Sequence, residues 1–545
     1  MRTTVVAFSV SGLLLGAIFF ALSLTPSLIP RSAIVQGILS GVSFTVGYSF
    51  GVLFRRLWKY LDIPDIPLNN RQRQILKRWV IIFGFFLISG FLWQGTYWQN
   101  SVRSLMGMPA VSSTGLITIG VVAFAIFVFF RQLGKGFHKI VLAVSARLGK
   151  RIPERVAILA GLLVALLLYW GILNGVLLQS GLHTISVVYE QLDEVIADDL
   201  PPPEDPNQTG GANSFLSWDS MGHQGRRFLT LGPTAEEIKE IAGEGIDPIR
   251  VYVGLHSAET PKQRALLALE ELKRLKAFER EILLIATPVG DGWVDPGAVN
   301  SLEFLYRGDV ATIAAQYSYL PGPIALLTDD KYIRMSARWL FKVIYDYWET
   351  LPASTRPRLY LFGLSLGAQL SEDSFEFYDI IDNPIDGALW AGPPFGMGVW
   401  RMITDNRDPG TPAWLPQFKG GEVVRFGNQY GGYLGQEPWG RFRIAFLQHA
   451  SDPIVFFDLR WMFRRPDWLE RPRGPDVSPD LRWFPVVTML QLIADFNVGV
   501  TPRDFGHRYS PAGYTLAWIA LTEPPDWSEA ELKRLRMTLK TQSKR

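Results

Sequence analysis

The stretch PRLYLFGLSLGAQL, residues 357–370, decides how the chain is read. A short apolar run leads into glycine, serine and glycine at alternate positions, and then into small and apolar residues able to open a helix. A serine on a sharp strand-to-helix turn presents its hydroxyl above a sheet and has backbone N–H groups beside it. Ser365 is therefore read as a nucleophile, with the backbone N–H of Leu366 as the first donor to the oxyanion. In a chain with 50 glycines the same pattern also fits an inert turn, so its surroundings must carry the reading.

Those surroundings alternate between short apolar runs and helical patterns. IRVYVGL (249–255), ILLIATP (282–288), RLYLFG (358–363), DGALWAG (386–392) and FRIAFLQ (442–448) read as strands. The last two lack polar alternation, as expected of parallel strands covered on both faces. Thr260-Pro261-Lys262-Gln263 forms a capping box with proline at the first helical position, and Thr328 or Asp329 is expected to cap KYIRMSARWLFKVIYDYWETLP. This pattern predicts an α/β domain over 246–535, a mostly parallel sheet flanked by helices.

Sites on such sheets form at the carboxyl ends of strands. FRIAFLQ runs into HASDP, which puts Asp452 at that edge, and RDFGHRYS carries His507 near the end of the domain. A serine hydroxyl needs an imidazole to take its proton, and the imidazole needs a carboxylate to hold its tautomer. The order Ser365, Asp452, His507 is the one α/β-hydrolases use. His449 competes as the base, and Asp458 and Asp504 as the acid. The second oxyanion donor is expected in the loop after IRVYVGL, at Leu255, His256 or Ser257, although His256 equally suits a substrate contact or an ordinary loop position.

The N-terminal third calls for a different solvent. Five apolar stretches run roughly over Val5–Leu24, Ala33–Phe54, Trp79–Tyr97, Gly115–Phe130 and Val156–Leu178, against about 20 residues needed to cross a hydrocarbon core. A cleaved signal peptide is the rival reading of the first, but that stretch runs on into SLTPSLIPRSA and a second span. Basic residues cluster after the second stretch (Arg55 to Arg78) and after the fourth (Arg131 to Arg155). The alternate loops hold only Arg31 and Arg103, and the segment after the fifth is acidic, from Glu190 to Asp205. Basic loops stay cytoplasmic, so the N-terminus is expected inside and everything after residue 180 outside the cytoplasmic membrane. The resulting division is a membrane domain over 1–180, a juxtamembrane segment and linker over 181–245 containing PPPEDPNQTGGANS (201–214), and the α/β domain over 246–535.

The totals exclude more than they assign. With 54 basic and 51 acidic residues the net charge is +3, which gives no footprint for nucleic acid. No cysteine is present, so disulfides, thiolate metal sites and a cysteine nucleophile are excluded. Histidines and carboxylates show no metal-ligand spacing, and no metal or cofactor is expected. GNQYGGYLG (427–435) lacks the lysine of a phosphate loop and reads as a flexible rim. GPPFGMGVWRMITDNRDPGTPAWLPQF (392–418) and ERPRGPDVSPDLRWF (470–484) suit a lid, a pocket wall or a packed insertion.

Longer stretches carry a resemblance. SLTPSLIPR (23–31), SWDSMGHQGRRFLTLGPT (217–234), IRVYVGLHSAET, TPVGDGWVDP, AAQYSYLPG, FGLSLGAQ, LQHASDPIVFF, RRPDWLERPRGPDVSPDLRWFPVVT and GHRY are similar to a bacterial family of membrane-anchored α/β-hydrolases, in which a multispan domain precedes a serine hydrolase domain. The resemblance covers nearly the whole chain and implies Ser365, Asp452 and His507 as its triad residues. Leu364 stands where that family commonly has a glutamate. The expected activity is carboxylic-ester hydrolysis on lipid or acyl-ester substrates beside the bilayer. An acyltransferase using the same triad, and a non-catalytic binding or transport protein, remain the alternatives; neither substrate nor oligomeric state is encoded.

Overall fold

The computed structural model describes residues 8–64, 69–113, 115–179, 189, 193, 200–496 and 498–542. The chain divides into two compact units: residues 1–178 with 457–506, and residues 179–456 with 507–545.

The first unit is helical. Its N-terminal elements are α1 (Val10–Ser23), α2 (Ala33–Tyr60), α3 (Asn70–Leu105), α4 (Gly115–Leu148) and α5 (Glu154–Gly171). Ser9 and Ser32 cap α1 and α2 through their hydroxyls, and Asn69 with Gln72 closes a capping box on α3. Glycines bring the helices together. A Cβ at Gly47 of α2 would lie 2.5 Å from the Leu15 carbonyl of α1, one at Gly51 would overlap the Ser11 carbonyl, and one at Gly41 would lie 2.7 Å from the Ala123 carbonyl of α4. Glycines on two faces of α2 thus let its backbone pack directly on α1 and on α4, as apolar helices do in lipid.

Four described helices are long and apolar enough to cross a membrane, all except α1. The first of the five expected stretches is described as an apolar helix of 14 residues; residues 5–7 of that stretch lie outside the described residues. The basic clusters are also less loop-like than expected. Arg55, Arg56 and Lys59 lie on the last turns of α2, Arg71 to Arg78 on the first turns of α3, and Arg131 to Arg147 on α4. Most of the acidic segment after the fifth stretch lies outside the described residues.

The linear domain boundaries are redrawn by packing. Residues 457–506, expected inside the α/β domain, belong to the helical unit. Their anchor is Asp495, a fully buried carboxylate that accepts from Arg31 Nε at 2.7 Å, from the Leu28 N–H at 3.2 Å and from the Ser27 hydroxyl. Gln491 Nε2 adds a bond to the Thr25 carbonyl at 3.0 Å. The motif SLTPSLIPR is thus the receptor for this segment, and ERPRGPDVSPDLRWF is packed structure of the same unit.

The second unit is an eight-stranded sheet in the order β1-β3-β2-β4-β5-β8-β6-β7. The strands are β1 (Ile249–Val253), β2 (Ile282–Thr287), β3 (Val310–Ala315), β4 (Arg358–Leu364), β5 (Gly387–Ala391), β6 (Val424–Asn428), β7 (Gly431–Gly432) and β8 (Arg443–Leu447). All pairings are parallel except β6 with β7. β2 and β5 are buried along their whole length, so helices cover both faces of the centre. The five expected strands are present, and β3, β6 and β7 are additional. GNQYGGYLG, expected as a rim, forms the β6–β7 hairpin. The helix Gly322–Thr350 starts at Gly322, ahead of the expected cap at 328–329. The expected linker 201–214 packs on the sheet, where the Thr209 hydroxyl donates to the Arg250 carbonyl at 2.7 Å.

Removing one partner of a buried ion pair strands the other charge at a cost of about 3–5 kcal/mol. Asp495→Ala is therefore expected to expose residues 457–506 to limited proteolysis and to lower the unfolding midpoint of the solubilised protein. The double change Arg31→Met with Asp495→Leu is expected to recover most of that loss.

Candidate active site

The corner after β4 is built by backbone contact. Ser365 has φ 55° and ψ −123°, a conformation L residues rarely adopt. Its N–H donates to the Ala391 carbonyl of β5 at 2.9 Å. A Cβ at Gly363 would overlap the Gly367 carbonyl, and one at Gly367 would overlap the Thr287 carbonyl. The helix Leu366–Glu372 starts at once, so the Leu366 N–H sits in its first turn, where N–H groups have no partner within the helix.

Asp452 follows β8 and is fully buried. Oδ1 accepts from the Ile454 N–H at 2.9 Å, which caps the short helix Pro453–Phe456 and orients the carboxylate. Oδ2 accepts from His507 Nδ1 and from the Tyr509 hydroxyl, both at 2.7 Å. Burial alone would raise the carboxyl, but the neighbouring His507, its hydrogen bond and that of Tyr509 outweigh burial and hold Asp452 below the usual carboxylate range. It is therefore an anion across the working range, and its share of stability is lost only as pH falls through that lowered value.

The bond to Asp452 fixes which nitrogen of His507 faces outward. Nε2 is buried and has no hydrogen-bond partner among the described residues. The ring lies against Gly392, where a Cβ would come 2.6 Å from His507 Cε1. Because Ser365 N–H is bonded to Ala391 and the His507 ring covers Gly392, serine and imidazole flank one dipeptide at the end of β5. Asp452 and His507 are in contact, and Ser365 stands beside them without a hydrogen bond to Nε2. Such bonds are often open before substrate arrives.

His449 does not replace His507. It is buried and stacks on Tyr509 with centroids 4.3 Å apart. Asp458 accepts from Arg460 and caps a turn in the helical unit. Tyr509 was missed by sequence reasoning, although it lies two residues beyond His507 in GHRYS, where an extended segment returns side chains to one side. Burial and the Asp452 charge push its phenol well above the ordinary tyrosine value, so it remains a donor.

His256 lies away from this corner in the strand order. It follows β1, an edge strand separated from β4 by β3 and β2, and its Nε2 pairs with the Tyr319 hydroxyl at 2.8 Å. The strand beside β4 is β2, and Thr287 and Pro288 at its end touch Gly367. The loop after β2 is fastened by Val289 N–H to the Trp293 carbonyl at 2.9 Å, and by the Tyr252 and Tyr317 hydroxyls to Gly292 and Pro288.

Family profiles match both parts of the chain. The profile of the alpha/beta-hydrolase family matches residues 249–535, and that of the alpha/beta-hydrolase family N-terminus matches residues 24–233. The chain belongs to the alpha/beta-hydrolase family. No curated protein and no solved structure matches it. Within the hydrolase profile lie all three predicted residues, the loop after β2 and Tyr509.

Gly392→Ala forces a Cβ into the imidazole at φ +53°. Overpacking of this kind costs about 1–3 kcal/mol. The low-field NMR signal of the His507 Nδ1 proton bonded to Asp452 is expected to shift or vanish in this variant, while far-UV circular dichroism stays unchanged.

Proposed function

We propose that this protein is a membrane-held serine hydrolase that cleaves carboxylic esters through an acyl-enzyme on Ser365. The observation that carries the reading is His507: Nδ1 is committed to a buried anion, and Nε2 is unpartnered beside a strained serine corner. A buried polar atom without a partner costs free energy, and one poised beside a nucleophile has a use for its lone pair.

In this mechanism rotation of the Ser365 side chain brings Oγ to Nε2. Oγ attacks the acyl carbonyl as Nε2 takes its proton, and Asp452 stabilises the imidazolium that forms. The tetrahedral oxyanion is held by the Leu366 N–H and by a second N–H from the loop after β2, at Gly290 or Asp291, since Val289 and Gly292 donate within the loop. Collapse breaks the ester C–O bond, and the leaving alcohol receives the proton from Nε2. Water then attacks the acyl-enzyme with His507 again as base, releasing a carboxylic acid and restoring Ser365.

Four apolar helices support the membrane setting. Arg55 to Arg78 and Arg131 to Arg155 lie toward one end of α2–α5, whereas Arg31 and Arg103 lie toward the other. This asymmetry favours a cytoplasmic basic end and a hydrolase unit on the outer face of a bacterial cytoplasmic membrane. Confinement beside lipid favours membrane-partitioned acyl esters as substrates.

Fluorophosphonate labelling of isolated membranes tests the chemistry. Labelling is expected in the wild type and absent in Ser365→Ala, and ester hydrolysis is expected to fall about 10³-fold or more in His507→Gln and Asp452→Ala. Tyr509→Phe, which removes one of two donors to Oδ2, is expected to cost less than Asp452→Ala. Labelling of Ser365→Ala at the wild-type level sinks the proposal.

A further inference from the structure

The helical unit contains a cavity of about 390 Å³ among the N-terminal ends of α2 and α4 and the C-terminal half of α3, with Val500 on its wall. The volume falls within the range of small-ligand sites. Its lining is divided by chemistry. Leu92, Leu116 and Ile119 give one apolar side, while Thr96, Gln99 and Arg103 form a polar stripe on α3 at spacings of three and four residues.

That stripe lies at the end of a helix otherwise apolar enough to cross a membrane, the level at which lipid headgroups meet side chains. Its donors are also unspent. Arg103 donates Nε to the Pro109 carbonyl at 2.7 Å, and its two terminal nitrogens have no hydrogen-bond partner among the described residues. Gln99 uses Oε1 to accept from the Arg31 N–H at 2.9 Å, which leaves its amide nitrogen unpaired there, as is the Thr96 hydroxyl. The other arginine on the wall, Arg31, is consumed by Asp495 and Gln36. No carboxylate lines the cavity among the described residues.

The geometry points to a binding site for one molecule of anionic phospholipid, with its phosphodiester on Arg103, Gln99 and Thr96 and an acyl chain along Leu92, Leu116 and Ile119. A guanidinium with both terminal nitrogens free matches phosphate oxygens bidentately. Basic pockets between apolar helices select anionic headgroups on the same grounds. A free phosphate would satisfy the stripe but leave the apolar side wet, whereas a zwitterionic lipid would bring a second cation toward Arg103. The site is independent of the chemistry at Ser365.

Native mass spectrometry of the full-length protein in a neutral detergent provides the test, with separate titrations of dioleoylphosphatidylglycerol, dioleoylphosphatidylcholine and inorganic phosphate. A saturable phosphatidylglycerol adduct is expected, weakened about tenfold or more in Arg103→Ala, weakened less in Arg103→Lys, which keeps the charge but loses the bidentate contact, and unchanged in Ser365→Ala and Lys77→Ala. Because Arg103 also holds the Pro109 turn and Gln99 accepts from the Arg31 N–H, Thr96→Val serves as the second variant and is expected to weaken binding several-fold with the unfolding midpoint preserved. Equal phosphatidylglycerol affinity in the wild type, Arg103→Ala and Thr96→Val overturns the inference. So does phosphatidylcholine bound as tightly as phosphatidylglycerol, or phosphate alone displacing the lipid at equal concentration.

Discussion

At the turn that carries Ser365, backbone lies on backbone, and the contact leaves no room for a side chain. Gly363 closes on the Gly367 carbonyl and Gly367 on the Thr287 carbonyl, each at a distance a Cβ could not share. Ser365 is held between them at positive φ, and its N–H is tied to β5. The strain is sustained because two neighbouring strands, β2 and β5, constrain the corner from either side. Three features of the site depend on this corner: the direction of the hydroxyl, the exposure of the Leu366 N–H and the nearness of the loop after β2.

Covalent order and packing order part company between Asp452 and His507. The chain leaves the hydrolase unit after Phe456 and re-enters it at His507. The intervening 457–506 finds its partners on the SLTPSLIPR segment near the N-terminus, through Asp495 and Gln491. A family profile that covers the N-terminal region, alongside one for the hydrolase region, fits this mutual dependence. The carboxylate and the imidazole of the site thus bracket, along the chain, a segment that packs in the helical unit.

Sequence reasoning reached the candidate site residues because each is tied to a local signal. Ser365 sits between alternate glycines after an apolar run, Asp452 ends a buried strand, and His507 lies in the turn-rich stretch before the last helices of the unit. Strand order is not local, and there the reading fails. β3 is alanine-rich and gives no clear run, and once it inserts between β1 and β2 the loop carrying His256 lies at the edge of the sheet. The home of 457–506 is equally hidden, because a buried Arg31–Asp495 pair 464 residues apart leaves no mark in either neighbourhood. Likewise, helices are expected to stop at the basic clusters, whereas α2, α3 and α4 run through them, since lysine and arginine are good helix formers.

Asp452 and Asp495 are both fully buried, and the difference between their partners separates structure from chemistry. Asp495 is surrounded by a guanidinium, a hydroxyl and a backbone N–H, and Arg31 in turn spends its remaining nitrogens on Gln36 and Gln491. The network closes on itself, so its energy is spent on holding two segments together. Asp452 has an equally complete set of donors, but one of them, His507, carries a second nitrogen that the fold buries and leaves unpaired. Folding alone gains nothing from that atom, since desolvating an unpaired nitrogen only subtracts stability. The cost is offset by the enclosure of Asp452, and it leaves a lone pair with a fixed tautomer next to the hydroxyl of a strained serine, where a proton can be taken up and returned.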